Sequence, residues 1–405
     1  MSVKSKQILV RVGTQASRTA VSSNMVNVAV PAEGNQVAPT NEIETLDTDH
    51  GSPGVLYSEV VAKNAQAQAF RTHFYPDTIG RLISNLITRT SGAQGFLQIE
   101  NWWPVDSLGS GTNRGERFRG CVLDSLSLDI AKTGIGSSIV AEFQAFINVV
   151  SEIAAAESFP ALTFSPDGPY KTTGALIDWV PNIATGAFGA KNADVRRLNL
   201  RFSNNGTVDG FEDDSSSPVS DKTWTIHDPG EPSAEIRLTV SMSEEEYLTL
   251  QNEATLPTGA LRLVLTHTGA DSTTSTDTVD GADDTTQTLG VDDSAHFAVN
   301  DVILIQHPSG DFATAIVEAV RSGPDEIDIA GTLPRVDLDG GTGGPVTIRN
   351  MTAAFIFDAM KFQNRGPASR DGNRRVLEVS YIVTLAAGET EIVEALAYDH
   401  ASGHA

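Results

Sequence analysis

Arg117-Phe-Arg-Gly-Cys-Val-Leu-Asp-Ser-Leu-Ser-Leu-Asp-Ile130, then a Gly-containing turn and Ile139-Val-Ala-Glu-Phe-Gln-Ala-Phe146, decides how the 405-residue chain is read. Val122, Leu126, Leu128 and Ile130 alternate with Ser125, Ser127 and Asp129. In the return, Ile139, Ala141, Phe143, Ala145 and Ile147 alternate with Glu142, Gln144 and Asn148. A period of two sends successive side chains to opposite faces, so 120–131 and 136–149 form a long hairpin with one buried and one wet face. A second hairpin of this kind is expected from 351–362 with 374–386. There Val379, Tyr381, Val383 and Leu385 alternate with Glu378, Ser380 and Thr384, and Asp358 is the isolated acid of the partner strand.

What precedes each hairpin also recurs. Pro76-Asp77 opens a helix with Ile79, Leu82, Ile83, Leu86 and Ile87 on one face. The strand Glu235-Ile-Arg-Leu-Thr-Val240 leads to Ser243-Glu-Glu-Glu246, a capping box ahead of Tyr247, Leu248 and Leu250. Each helix exits through a Gly-containing turn into a strand, Gly92 to Ile99 in one case and Gly259 to Leu265 in the other. Strand, helix, strand, hairpin thus occurs twice, as a repeat of pattern rather than of residues. The copies differ in what interrupts them, about 102–117 in the first and 269–345 in the second. The second insert opens on a Thr/Ser/Asp-rich tract, Asp271 to Asp284. It continues through short strands at 301–306, 313–320 and 327–329 to Gly340-Gly-Thr-Gly-Gly344, as a little barrel or sandwich would.

The fold class expected is therefore mainly β (α+β), with duplicated β-sandwich or barrel units, each with a flanking helix, plus a small β insertion domain. The boundaries expected are 1–41 as an N-terminal arm ordered on assembly and 42–160 as the first unit. The second unit takes 161–268 with 346–395, the acidic insertion takes 269–345, and 396–405 is a C-terminal tail.

Acidic residues outnumber basic ones by 52 to 28, a net charge of −24, which argues against phosphate binding as the main activity. The segment 269–345 holds 15 acids against Arg321 and Arg335, a net of −13, leaving −11 for everything else. Charge so concentrated belongs on a solvated periphery, where salt screens repulsion between copies. No apolar stretch has the length a bilayer requires, and the first residues lack a continuous apolar core, so neither a membrane span nor a secretory signal is expected.

The chemistry-bearing patterns are nearly empty. Cys121 is the single cysteine, which excludes an intrachain disulfide, and its strand setting reads as a small buried hydrophobe. Of eight histidines only His400 and His404 have His-x-x-x-His spacing, at a terminus where a frayed tail is the simpler reading. Leu108-Gly-Ser-Gly-Thr112 does not match a nucleophile elbow, and no phosphate-cradling Gly-x-x-x-x-Gly-Lys motif occurs. Acid-rich stretches such as Glu212-Asp-Asp214, Asp283-Asp284 and Asp292-Asp293 are oxygen-rich as calcium prefers, but none has EF-hand spacing, and solvated loops explain them. Trp102-Trp103 could form a sugar platform if exposed; at a strand end it more simply anchors a loop or a subunit contact. No catalytic residue, cofactor or metal ligand is expected.

Against that background, three segments resemble the tail tube (major tail) proteins of long-tailed, non-contractile bacteriophages. Arg117 to Ile130 with its return Ile139 to Phe146 is similar to the family's Gly-Cys-apolar strand and returning strand. Asp194-Val-Arg-Arg-Leu-Asn-Leu-Arg-Phe-Ser-Asn-Asn-Gly206 is similar to its strand ending in an Asn-rich turn, with Arg237-Leu-Thr-Val240 and the Glu-capped helix after it. The likeness covers about 42–267 and 346–395 and omits the insert. It implies a non-enzymatic virion protein, made in the host cytoplasm, whose β-sandwich units stack in rings around a lumen. Two fused units imply a pseudo-sixfold ring of three chains, with the tape measure and other tail proteins as partners and DNA in transit without specific binding. On that reading Asp129, Glu142, Asp358 and Glu378 line the channel as an anionic wall that phosphates do not stick to. A carbohydrate-binding or adhesin-like β-sandwich, or another phage structural protein such as a capsid or tail-terminator component, is the alternative.

Overall fold

The computed structural model describes residues 9–28, 41–46, 57–63, 67–76, 78–87, 95–103, 114–132, 136–153, 157–161, 168–184, 188, 195–210, 212–213, 222–224, 226–243, 258–281, 286–333, 337–366, 368–371, 374–386, 389 and 391–397. Among the described residues strand takes up 61% and helix 5%, which makes the fold mainly β. The elements begin with β1 (Leu9–Gln15), β2 (Val26–Val28), β3 (Asn41–Leu46), β4 (Tyr57–Lys63), β5 (Gln68–His73) and α1 (Ile79–Ile87). They continue with β6 (Phe96–Trp103), β7 (Arg114–Ala131), β8 (Val140–Phe146), β9 (Val149–Glu152), β10 (Ala175–Val180) and β11 (Val195–Ser203). Two short pairs, β12 (Thr207–Asp209) with β15 (Ile226–Asp228) and β13 (Glu212–Asp213) with β14 (Lys222–Thr223), precede β16 (Ser233–Met242) and β17 (Thr258–Thr266).

The insert supplies β18 (Ser272–Ser275), β19 (Thr278–Val279), β20 (Gln287–Gly290), β21 (Val302–Gln306), β22 (Phe312–Ser322), β23 (Asp325–Leu333), β24 (Leu338–Asp339) and β25 (Val346–Arg349). The chain then returns through β26 (Thr352–Arg365), β27 (Ser369–Asp371), β28 (Arg374–Val383) and β29 (Glu394–Ala397).

One 15-stranded sheet runs β10-β17-β26-β28-β16-β11-β7-β6-β1-β2, with β5, β8 and β9 attached through β7, β27 on β28 and β29 on β26. The duplication is visible in its pairing. In the first copy the strands lie β5-β8-β7-β6, with β9 on the first half of β7; in the second they lie β16-β28-β26-β17, with β29 on the first half of β26. Both long strands carry two bulges at the same spacing. On β7 the register slips between Phe118 and Cys121 and again between Leu123 and Ser125. On β26 it slips between Phe357 and Met360 and again between Phe362 and Asn364. An unpaired residue kinks a strand and turns its side chains over, so matched bulges give the two copies matched curvature.

The bulges explain where simple alternation fails. Past the slip, Leu123, Leu126, Leu128 and Ile130 share the main core, while Val122 faces the other way, against Phe146 and Trp224. Asn148, expected on the wet face, is buried and donates to the Trp224 carbonyl; Leu385, expected inside, is exposed.

Helix α1 forms where the spacing predicts, with Ile79, Leu82, Ile83 and Leu86 buried against β7 and β29. Each such side chain removed from water contributes about 1.5–3 kcal/mol. Asn85 on this helix accepts from the Leu123 amide at 2.8 Å, so the helix also holds the bulge. The core it caps includes Leu198, Leu238, Phe355 and Tyr381 as well as Phe143, so both copies share it. The second expected helix, after Ser243, lies outside the described residues, as do 1–8 and 398–405, with His400 and His404.

Three boundaries are corrected. Residues 9–28 are not a free arm: β1 pairs along its whole length with β6, and Val10 and Val12 join the main core. The insert's sheet, β18-β25-β21-β22-β23-β20, extends through β25 to Arg349 rather than stopping at 345, because β25 pairs with β18 and β21. The expected tail begins late, since β29 through Ala397 pairs with β26.

Candidate functional site

The wet face of the main sheet is assembled from six strands. On β7 it presents Ser125, Ser127 and Asp129, on β8 Glu142 and Gln144, and on β11 Arg197, Asn199 and Arg201. From β16 come Glu235 and Arg237, from β28 Glu378 and Ser380, and from β5 Arg71, set between residues that are mostly buried and apolar. Register fixes who meets whom: Ser127 lies opposite Glu142 and Arg201, Arg201 opposite Glu235, and Thr239 opposite both Arg197 and Glu378. A concavity of about 590 Å³ lies over this face, lined by Ser125, Ser127, Glu142, Arg201, Glu235 and Gln363 among others, so strands of both copies contribute to it.

Three of the four expected carboxylates, Asp129, Glu142 and Glu378, share this face; Asp358 does not join them. It sits half-buried at the first bulge of β26, beside Glu389, Glu391 and Glu394. The expectation of an anionic wall is also corrected. Arg197 grips Asp129 with two donors, Nε to Oδ1 at 2.7 Å and Nη2 to Oδ2. Arg71 lies 3.3 Å from Glu142, and Arg237 lies 2.7 Å from Glu235. The Asp129 hydrogen bonds, with Asp129 and Glu378 charge nearby, push the Arg197 guanidinium further up. Asp129, Glu142 and Glu235 thus each have an arginine beside them, Glu378 acts on Arg197 through its charge, and with Arg201 the named arginines of the face equal its named acids in number. Pairs this exposed are worth about 0.2–1 kcal/mol each, so their effect is on the field at the surface more than on stability.

No family model matches the chain, and no curated protein matches it. The chemistry must therefore be read from the geometry.

Among the described residues no group of three or more His, Cys, Asp or Glu is placed to hold a metal ion. Cys121 is fully buried, and burial pushes its thiol up, away from the reactive thiolate. Trp102 is buried, donates its indole N–H to Glu100 Oε2 at 2.8 Å, and meets Phe159 edge-on at 5.9 Å between ring centres. It is an anchor and not a platform. The same buried Glu100 accepts from Arg117 Nε at 2.7 Å and from Gln98 at 2.8 Å, and Arg11 stands 3.4 Å away, which ties β1 and β7 to β6. The side chain of Trp103 lies outside the described residues. No helix among them is long and apolar enough to cross a membrane.

The arginines were missed by sequence reasoning. Arg197, Asn199 and Arg201 alternate with Leu198, Leu200 and Phe202 as plainly as the acids of β7 do. What the pattern lacks is the neighbour: that β11 lies between β7 and β16 is a fact of strand pairing over long sequence separation.

Proposed function

We propose that the chain is a structural virion protein, the tail tube protein of a long-tailed, non-contractile bacteriophage. It assembles with itself into stacked rings through which DNA passes into the host. The observation that carries this reading is that two copies of one unit stand side by side in one continuous sheet and present a shared, concave, polar face. A tube wall requires a unit that extends sideways into another like itself and keeps one face wet. Catalysis and saccharide binding draw no comparable support, since the buried Trp102 offers no platform and the wet face holds paired ions instead of a reactive group.

Three chains would give six units per ring. Asp129, Glu142 and Glu378 with their arginines would then face the channel, where ions neutralised in place leave phosphates little to bind. Tape measure and other tail proteins are the further partners, and the virion is the location.

Negative-stain microscopy of the purified full-length protein, at micromolar concentration, tests it. Stacked rings or tubes with a central hole are expected. A monodisperse monomer at every concentration and ionic strength tried would overturn the reading, and a tube with Asp129 and Glu378 on its outer surface would overturn the channel assignment.

A further inference from the structure

Between β11 and β12 the chain passes through Asn204-Asn205-Gly206, the only place in the sequence where asparagine precedes glycine. Packing dictates both residues. Asn205 has a left-handed backbone, φ +52°, which asparagine tolerates better than most side chains do. At Gly206 a Cβ would stand 2.8 Å from Asp124 Oδ1 and 2.9 Å from His227 Nε2, so only glycine fits. The two residues launch the arm formed by β12 to β15, whose Trp224 is buried against Val122 and Phe146. Asn205 itself is exposed, so solvent reaches it.

The dipeptide that packing demands is a chemically labile one. With no Cβ on the following residue, little bulk keeps the Gly206 nitrogen from the Asn205 carboxamide. Attack forms a bond from Gly206 N to Asn205 Cγ and breaks the bond from Cγ to Nδ2. Ammonia leaves with the proton that the Gly206 nitrogen gives up, and a succinimide ring remains. Water then adds to one ring carbonyl and opens the ring, which yields aspartate or isoaspartate at 205. Water is the only co-reactant.

We infer that Asn205 is a modification site, an asparagine that converts to aspartate or isoaspartate through a succinimide, and that the fold guards it through Asp124. The Gly206 amide donates to Asp124 Oδ1 at 2.6 Å. Asn205 Nδ2 donates to the Glu231 carbonyl at 2.7 Å and to Ser233 Oγ at 3.0 Å, and the Asn205 amide donates to Ser203 Oγ at 3.0 Å. For the nitrogen to turn toward Cγ, the peptide and the carboxamide must both leave these partners. Asp124 is a positioning residue and is firmly held, being 7% exposed at the second bulge of β7. Its carbonyl accepts from the Asn204 amide at 2.7 Å, and Asn204 Nδ2 donates to the Leu86 carbonyl of α1 at 2.7 Å. Helix, bulge and turn are thus fastened together around the labile bond. Conversion puts a carboxylate where Nδ2 donates to Glu231 and Ser233, and so unties the returning end of the arm.

Peptide mapping by mass spectrometry, with the full chain held in isotopically labelled water at mildly alkaline pH, tests this. Conversion marks Asn205 by the amide-to-acid mass gain and by oxygen taken from the solvent. In the folded parent Asn205 converts more slowly than in the same chain unfolded in urea, by about tenfold or more, an opening cost of at least about 1.4 kcal/mol. Asp124→Ala, with the circular dichroism of the parent, converts Asn205 about tenfold faster than the parent does. Asp124→Asn keeps an oxygen for the Gly206 amide and restores the slow rate. A folded parent that converts as fast as the unfolded chain overturns the guarded site. A folded Asp124→Ala that converts no faster than the parent, or an Asp124→Asn as fast as Asp124→Ala, overturns the part given to Asp124. If Asp124→Ala does not fold, the ratio between folded and unfolded parent still decides. Neither arm depends on whether the chain assembles, so the tube reading stands or falls separately.

Discussion

Asp129 and Arg197 show how little a single exposed carboxylate says until its neighbour is known. Both side chains are about half exposed, so removing one should cost under about 1 kcal/mol. Its consequence lies in the field: Asp129→Ala leaves Arg197 opposed only by the charge of Glu378 on the polar face. The variant is expected to unfold at nearly the parent's denaturant midpoint but to be retained more strongly on a polyanion column. The salt dependence of that retention should steepen by about one phosphate contact. Unchanged retention would mean that this face is not what a polyanion meets.

His227 behaves oppositely, through burial. It packs between Trp224 and Phe146, with ring centres 6.2 and 5.8 Å away, and burial lowers its pKa although nearby Asp228 raises it. A folded pKa below that of the unfolded chain means the unfolded chain takes up the proton first as pH falls through about 6.5. Stability from this group is therefore present above pH 6.5 and is lost below it. His227→Asn is expected to show a flatter decline in unfolding free energy between pH 7 and 5 than the parent, measured by urea unfolding. Asp124 and Glu116, whose pKa values burial raises, act in the opposite sense in both proteins, so the difference between the two curves isolates the histidine.

At the scale of elements, the bulge is the unit that gives the sheet its shape. Gly120 lies in the first bulge of β7 at φ +61°, and its amide is held by the Gln15 side chain at 2.8 Å. A methyl group there would come within 2.7 Å of Asn148 Cβ and 2.9 Å of the Arg18 carbonyl oxygen. Gly120→Ala should cost about 2 kcal/mol or more, combining left-handed backbone strain with displacement of packed neighbours. Thermal unfolding checks this, and a stability equal to the parent's would show that the bulge relaxes freely. The hairpins, α1 and the strands flanking them were legible beforehand because each is encoded locally, by period or by a cap. The bulges were not, since an extra residue shows only once the partner strand is counted against it.

For the molecule as a whole, the acidic insert is locked to the sheet and not merely tethered. Arg262 of β17 is fully buried and lies 2.9 Å from Asp178 of β10. It donates Nη1 to the Phe312 carbonyl at 2.5 Å and stacks 3.6 Å over the Phe312 ring, which belongs to the insert. Burial pulls its pKa down to about 10, and Asp178 opposes that fall, so it is charged at neutral pH. Around it Phe312 and Leu304 of the insert pack on Val264 and Ala354 of the sheet. Arg262→Met strands the Asp178 carboxylate and is expected to cost about 3–5 kcal/mol. Adding Asp178→Leu should recover most of that, because two apolar residues replace a buried ion pair at little net cost. A double variant no more stable than Arg262→Met would show that the Phe312 contacts, and not the stranded charge, dominate.

By itself the sequence determined the mainly β class, the twofold pattern, the position of α1 and the wet-and-buried alternation of both long hairpins. These follow from side-chain period and capping within a dozen or so residues, where local sterics act. It also located over half of the net charge in the insert, which is counting. Tertiary structure alone decided that β11 sits between the copies and sets Arg197 against Asp129. It decided too that Asp358 sits at a bulge beside Glu389, Glu391 and Glu394, that residues 9–28 complete the sheet, and that Arg262 clamps the insert. Each is a pairing between segments far apart in the chain. No local period encodes such a partner; it is chosen by which edges and apolar faces can be buried together when the whole sheet forms.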